Sequence, residues 1–236
     1  MIRYIWIAVM VTLAVLAAGL QLDRQARRQP ELAPLVPAPF RSFALERQTI
    51  STVRADSPVK ALRNARLLVE RRPVPSEHLS LLAIAEVRNG NEAGAALIVQ
   101  QAARRGWRDS IAQQAMFDIA LNAGDMAEAS RRVAALWAMR EDQVPVADFT
   151  ARLLATPQGR SAMAEMLTTG GRWERAFLAG GIDLPPATFA ATINEAAARG
   201  ARLDCLMLDR LKGAYVPKHL ENEAAIIEKA RLTCQR

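Results

Sequence analysis

Side chains that could carry out chemistry are sparse in this chain of 236 residues, which holds two cysteines and two histidines. Cys205 and Cys234 form a candidate disulfide. If the last two helices make a hairpin, the start of one nears the end of the other, and an oxidising compartment would preserve the bond. The spacing does not demand it. Otherwise Cys205 is a small buried apolar residue and Cys234 an exposed thiol on a frayed end. A zinc site needs about four ligands, and these cysteines with the distant His78 and His219 do not offer that spacing. His78 follows Pro75-Ser76-Glu77 at a helix start, where Ser76 reads as an N-cap and not a nucleophile. His219 reads as a surface residue in the first turn of the last helix. Asp118, Asp125, Glu128 and Asp142 are scattered and give no acid/base pair. Gly170-Gly171 lacks the phosphate-loop pattern, no serine is framed as GxSxG, and no HExxH occurs. Trp107, Trp137 and Trp173 fall between helices or at helix ends, where packing is the simplest role. The expectation is no catalytic residue, no metal and no cofactor.

The elements that would position these residues are helices. Ala61, Ala95 and Ala129 stand 34 residues apart, and Gly90-Asn91 recurs at the same interval as Gly124-Asp125. A glycine after a helix takes the left-handed conformation that ends it, and Asn or Asp tolerates the turn. Ala95, Val99 and Ala102 follow one face of a helix. The pattern predicts helices over Pro58–Arg72, Ser76–Asn89, Glu92–Arg105, Ser110–Ala123 and Met126–Met139. After Pro145 the period is lost. Helices are still predicted over Val146–Ala155, Arg160–Thr168, Arg172–Leu178, Pro186–Arg199, Leu203–Leu211 and Lys218–Cys234, with Pro157, Gly170-Gly171, Gly180-Gly181, Gly200 and Gly213 as breaks.

Over residues 57–140 the chain resembles tetratricopeptide repeats, and it is similar to membrane-anchored repeat proteins of bacteria. The resemblance rests on Leu79, Leu82, Ala83 and Glu86 in the first helix of one unit, Ala95, Val99 and Ala102 in the second, Ala129, Val133 and Leu136 one period on, and Pro73 as a closing proline. It departs from the family at Glu86, where an aromatic is preferred, at Phe117, where a small residue is usual, and at Trp107 and Glu141, which replace the closing proline. The resemblance implies an all-α solenoid of antiparallel helix pairs over 45–145. An irregular helical cap over 146–236 would follow, since terminal repeats are atypical. It also implies a concave face, lined mainly by the first helices, that holds a protein or peptide partner. Envelope assembly or surface-polysaccharide export would suit such an adaptor. A polysaccharide-binding or accessory subunit of an envelope enzyme complex is the second reading, and it requires the three tryptophans to be exposed along one groove.

Residues 4–20 carry no charge, and at 1.5 Å per residue they reach about 26 Å, near the bilayer's hydrocarbon thickness. Residues 1–23 therefore read either as an uncleaved single-span anchor or as a signal peptide with Ala17-Ala18-Gly19 as its cleavage site. Arg3 alone precedes the run, whereas Arg24, Arg27 and Arg28 follow it, which by charge bias alone would keep the domain inside. The short basic head followed by an apolar run is an export layout, so the expectation is an inner-membrane protein with a periplasmic domain. Pro30, Pro34, Pro37 and Pro39 predict an extended linker over 24–44 that lifts the domain off the membrane. The net charge is +7. Aromatics are only 5% of the chain, so the stacking platforms of a nucleic-acid binder are lacking. The arginine pairs read as solvated helix ends.

Overall fold

The computed structural model describes residues 2–55, 57–139 and 144–233. Among these residues the chain is all-α, with thirteen α-helices and no strand. Two compact units contain them, Met1–Gly106 and Trp107–Arg236.

The first unit begins with α1 (Ile2–Ala26), the one helix among the described residues long and apolar enough to cross a membrane. Short 3-10 turns at Pro30–Leu35 and Ala38–Phe40 lead to α2 (Phe43–Ala55), α3 (Pro58–Arg71), α4 (Ser76–Arg88) and α5 (Glu92–Arg105). Gly90 ends α4 at a φ of 82°. Its N–H donates to the Val87 carbonyl and the Asn91 N–H reaches the Glu86 carbonyl, each at 2.9 Å. Those two bonds satisfy carbonyls that a helix end leaves orphaned. Asn91 then caps α5 by accepting from the Gly94 N–H at 3.0 Å. The local chemistry of Gly-Asn thus turns α4 back along α5. Ala61, Ala65 and Ala85 are completely buried where α3 meets α4, with Val53 and Leu62 around them.

The linker expectation is corrected here. Residues 24–44 are not an extended spacer. Proline starts the first 3-10 turn, and Ala26, Ala33, Val36 and Ala44 bury together with Leu22 and Phe40 against them. Phe40 lies on Gly19 of α1 so closely that a Cβ there would meet the ring at 2.6 Å. Side chains fix the turns from outside. Gln48 donates to the Ala33 carbonyl (2.9 Å), Arg41 to Val36 (2.7 Å), and Arg71 to Ala38 (3.1 Å) and Arg41 (3.0 Å). Proline's missing N–H fits a 3-10 start as well as an extended chain, and apolar partners decided between them.

The second unit contains α6 (Ser110–Asn122), α7 (Met126–Met139), α8 (Val146–Leu154), α9 (Pro157–Thr169), α10 (Arg172–Gly180), α11 (Pro186–Ala198), α12 (Cys205–Tyr215) and α13 (Glu221–Thr233). Gly124, at a φ of 75°, repeats the Gly90 turn between α6 and α7, and Gly200 ends α11 with the same bond pattern, from Gly200 to Ala197 and from Ala201 to Ala196. Helix α7 packs on α8, α9 and α10, α9 on α11, and α11 on α13. A single apolar core runs from Phe117 to Ala230 and includes Ala129, Leu154, Met163, Phe177, Phe189, Ile193 and Tyr215.

Three local expectations differ from the structure. Pro157 marks the break between α8 and α9 as expected, but it also opens α9, ahead of the predicted start at Arg160, with Thr156 as cap accepting from Gly159 at 3.0 Å. Gly213 lies inside α12. Helix α13 starts at Glu221, so His219 precedes it, in the left-handed region at a φ of 56°. Glu141, Asp142 and Cys234 lie outside the described residues.

Candidate functional site

A groove in the second unit lies between the end of α10 and the start of α12, with Trp137 of α7 in its wall. Its volume is about 680 Å³. Gly180 makes the wall possible, because a Cβ at that position would sit 2.1 Å from the indole. The indole Nε1 donates to Thr150 Oγ1 at 3.0 Å, and that hydroxyl donates to the Val146 carbonyl at 2.7 Å. Phe177 meets Trp137 edge-on at 6.2 Å. The indole is therefore a fixed surface.

Leu206 and Met207 supply the opposite apolar side, and Leu206 is 53% exposed. Asp204 fixes their backbone as the cap of α12, accepting from the Leu206 N–H at 3.0 Å and the Met207 N–H at 3.1 Å. Its other oxygen pairs with Arg175 at 3.0 Å. Burial pushes the Asp204 carboxyl up, but the Met207 N–H and the Arg175 guanidinium outweigh it and hold the group below the ordinary aspartate range. Next to it, burial moves Glu174 up, and the Asp204 charge adds to that, while a bond from the Asp204 N–H opposes it. Arg175 and Arg210 border the groove. The arrangement offers an apolar channel with cationic edges. That suits an apolar side chain carried on an acidic segment, and it places no nucleophile beside a base.

Polar ties of another kind hold the first unit. His78, only 1% exposed, donates from Nδ1 to the Arg72 carbonyl at 2.8 Å, and its Nε2 lies 3.4 Å from Glu46. Arg72 reaches the same Glu46 oxygen at 2.8 Å. The bond from His78, with Arg72 beside it, holds the Glu46 carboxyl below its usual range. Glu86, where the repeat family prefers an aromatic, is 6% exposed and accepts from Arg66 at 2.9 Å and Asn91 at 3.0 Å. Those bonds, Arg66 foremost, lower its pKa. The acid fastens α4 to α3 and to the cap of α5.

The other singled-out residues do not converge. Ser76 is the first residue of α4 and is buried, and the cap position belongs to Pro75, so the N-cap expectation fails there. Trp107 is 52% exposed with Arg108 over its ring, Trp137 is half-buried and bonded, and Trp173 is buried against Phe177. The three tryptophans thus share no exposed groove. Asp118 pairs with Arg152 at 2.8 Å, and Arg152 lies over Phe117 and Phe149. Asp125 caps α7 through the Glu128 N–H at 2.9 Å, and Glu128 holds Arg131 and Arg132. Cys205 opens α12, half-buried, beside the Asp204 cap. Among the described residues no cluster of three His, Cys, Asp or Glu could hold a metal ion.

No protein-family model and no curated protein matches the chain. The fold and the turns define a helical repeat-like protein with one long apolar helix at its N-terminus.

Proposed function

We propose that this chain is a non-catalytic interaction module held at a membrane by α1, a scaffold whose partner is a protein segment with apolar and acidic side chains. The groove of Trp137, Leu206 and Met207 edged by Arg175 and Arg210 is the observation that carries this reading. On this reading the helix pairs form a tetratricopeptide-like stack that continues past Pro145. Two hydrogen bonds support the stack, each joining residues 34 apart: Arg199 to Glu165 and Tyr215 to Gly181. The packing of α7, α9, α11 and α13 on one another in order supports it too. The role proposed from the resemblance, in envelope assembly or polysaccharide export, fits a module of this kind. The sugar-binding alternative retains only Trp107.

The anchor reading is favoured over a cleaved signal because Gly19, which cleavage would remove, packs against Phe40 of the folded unit. We keep the soluble part on the periplasmic side, with Cys205 and Cys234 bonded there. A phosphatase that works only when exported, fused after Arg236, is active on this reading. An inactive fusion beside an active cytosolic reporter overturns the orientation. For the groove, the full-length protein is used to recover partners from detergent-solubilised membranes, next to Leu206→Glu. A partner retained by the wild type and lost by L206E is expected. Equal recovery by both excludes the groove as the binding face.

A further inference from the structure

The border of α1 carries a second surface. From Ile2 to Ala18 every residue of α1 is exposed, and Leu20 still is. Nineteen residues at 1.5 Å each make about 28 Å, close to the roughly 30 Å hydrocarbon core. Arg24 then stands about 6 Å beyond Leu20 along the axis, and Arg27 and Arg28 about 10–12 Å beyond. The headgroup layer on each side is roughly 5–7 Å thick, so Arg24 stands at the depth of lipid phosphates and Arg27 and Arg28 lie just outside it, within a side chain's reach.

They are also arranged. Arg24, Arg27, Arg28 and Arg47 surround Phe43 in a cavity of about 300 Å³. A smaller one beside it, of about 170 Å³, is lined by Gln21, Arg24, Gln25 and Arg28. The Arg27 guanidinium lies over the Phe43 ring at 5.3 Å, with Arg72 over the same ring at 4.7 Å. Arg47 is steadied by donating to the Arg27 carbonyl at 3.0 Å. No carboxylate lines either cavity. Asp23, the acid closest in sequence, is 4% exposed and accepts from the N–H groups of Ser42, Phe43 and Ala44. Glu46 is held by Arg72 and His78, and Glu31 sits on the 3-10 turn outside the lining. Among the described residues Arg24 and Arg28 bond no other side chain. A solvated helix end needs no aromatic under its cation and no acid turned away.

We infer that Arg24, Arg27, Arg28 and Arg47 around Phe43 form a binding site for the phosphate of an anionic phospholipid in the leaflet at the C-terminal end of α1. Arginine's planar fork matches a phosphate oxygen pair, and a fork already resting on a ring loses less freedom when it binds. The inference rests on the reading that α1 spans the bilayer, and it holds for either orientation.

The test uses the full-length protein, purified in detergent and titrated with phosphatidylglycerol or phosphatidylcholine, with bound lipid read by native mass spectrometry. Wild type is expected to retain the anionic lipid at least about tenfold better, as two or more arginines near an anionic headgroup imply. Arg24→Gln/Arg28→Gln, which removes no intramolecular bond, is expected to lose most of that preference. Arg63→Gln, on the exposed face of α3, is expected to keep it. Equal preference in wild type and the double variant overturns the site. So does displacement of the lipid by millimolar inorganic phosphate, which would make the ligand a free anion. Resistance of the wild type to alkaline extraction from membranes is measured separately. Extraction of the wild type sinks the spanning reading, whereas a membrane-resident protein without lipid preference sinks only this inference.

Discussion

The two units reach the same helical architecture by different physics. In Trp107–Arg236 one apolar core is continuous, and Phe177 is its hub, touching Trp137, Trp173 and Phe189. In Met1–Gly106 the apolar clusters are small: Ala26, Ala33, Val36 and Ala44 in one, Val53, Ala61, Leu62, Ala65 and Ala85 in another, and Leu45, Leu68 and Leu81 in a third. Charged side chains tie those clusters together. Arg88 donates to the Thr52 and Val53 carbonyls, Arg105 to Pro73, and Arg66, Arg72 and His78 engage Glu86 and Glu46. Small side chains let helices approach but bury little area, and directional bonds then specify the arrangement. The difference teaches that a repeat-like helical fold tolerates either solution, and that in the first unit lowered carboxylates sit at the ties between the clusters.

Substitutions can break or sharpen that contrast. Phe177→Ala has the largest expected effect, a loss of about 3–5 kcal/mol from the aromatic hub. Hydrogen exchange on the full-length protein should show that loss in peptides of the second unit. A loss of equal size in α2–α5 would show that the units do not differ as described. Asp23→Ala leaves three backbone donors at the start of α2 without an acceptor, at a cost of about 3 kcal/mol, read as faster exchange confined to α2 and the 3-10 turns. Unchanged exchange there would mean that the cap is dispensable. Ala95→Leu overpacks a buried position of α5 and should cost about 1–2 kcal/mol by thermal unfolding. An unchanged melting temperature would remove the structural weight of the 34-residue alanine spacing.

Acid is the next lever. Glu46 and Glu86 have folded pKa values below the ordinary 4.5. Their contribution is therefore present above that value and is lost as pH falls through the folded values. Glu46 is one-third exposed, so its share is below about 1 kcal/mol. Exchange in α2–α4 should rise on going from pH 5 to pH 3 more than exchange in α9–α11. Parallel rises in both units would contradict the comparison. The smallest effect is expected at Glu174, a carboxylate whose pKa is raised, burial being the main cause. A raised acid favours the folded state below its unfolded pKa and loses that benefit as pH rises. Glu174→Gln keeps an oxygen for the Asp204 N–H, and it should gain about 0.5 kcal/mol or less at pH 7 and nothing at pH 4. A clear loss at pH 7 would mean that the charge is needed.

The sequence disclosed the parts whose causes are local. Gly90 and Gly124 turn because their conformations suit glycine, and α5 and α7 begin and end where the spacing predicts. Polar spacing did not disclose the groove, since Trp137, Arg175 and Leu206 come from three helices, and those of Arg175 and Leu206 lie where the 34-residue period is lost. The signal that could have exposed it was Asp204 before an apolar turn, a cap that places Leu206 on a helix's first turn. The proline-rich stretch was misleading because its order depends on Gly19 accepting Phe40 and on Arg71 donating from 30 or more residues away. His78 gave no sign of its burial, because Glu46 reaches it from another helix.

On the proposed reading that α1 anchors the chain, the Asp23 carboxylate has a mechanical consequence. An anchor followed by a loose tether leaves its cargo free to swivel. Here α1 runs unbroken from its apolar stretch to Ala26, and Asp23 grips the first three N–H groups at the start of α2. The joint is bonded from both sides. When a thinner bilayer makes a spanning helix lean, α2 must lean by the same angle. The thickness of the membrane then becomes an input that aims the first unit's surface, and the whole lever turns on one buried acid.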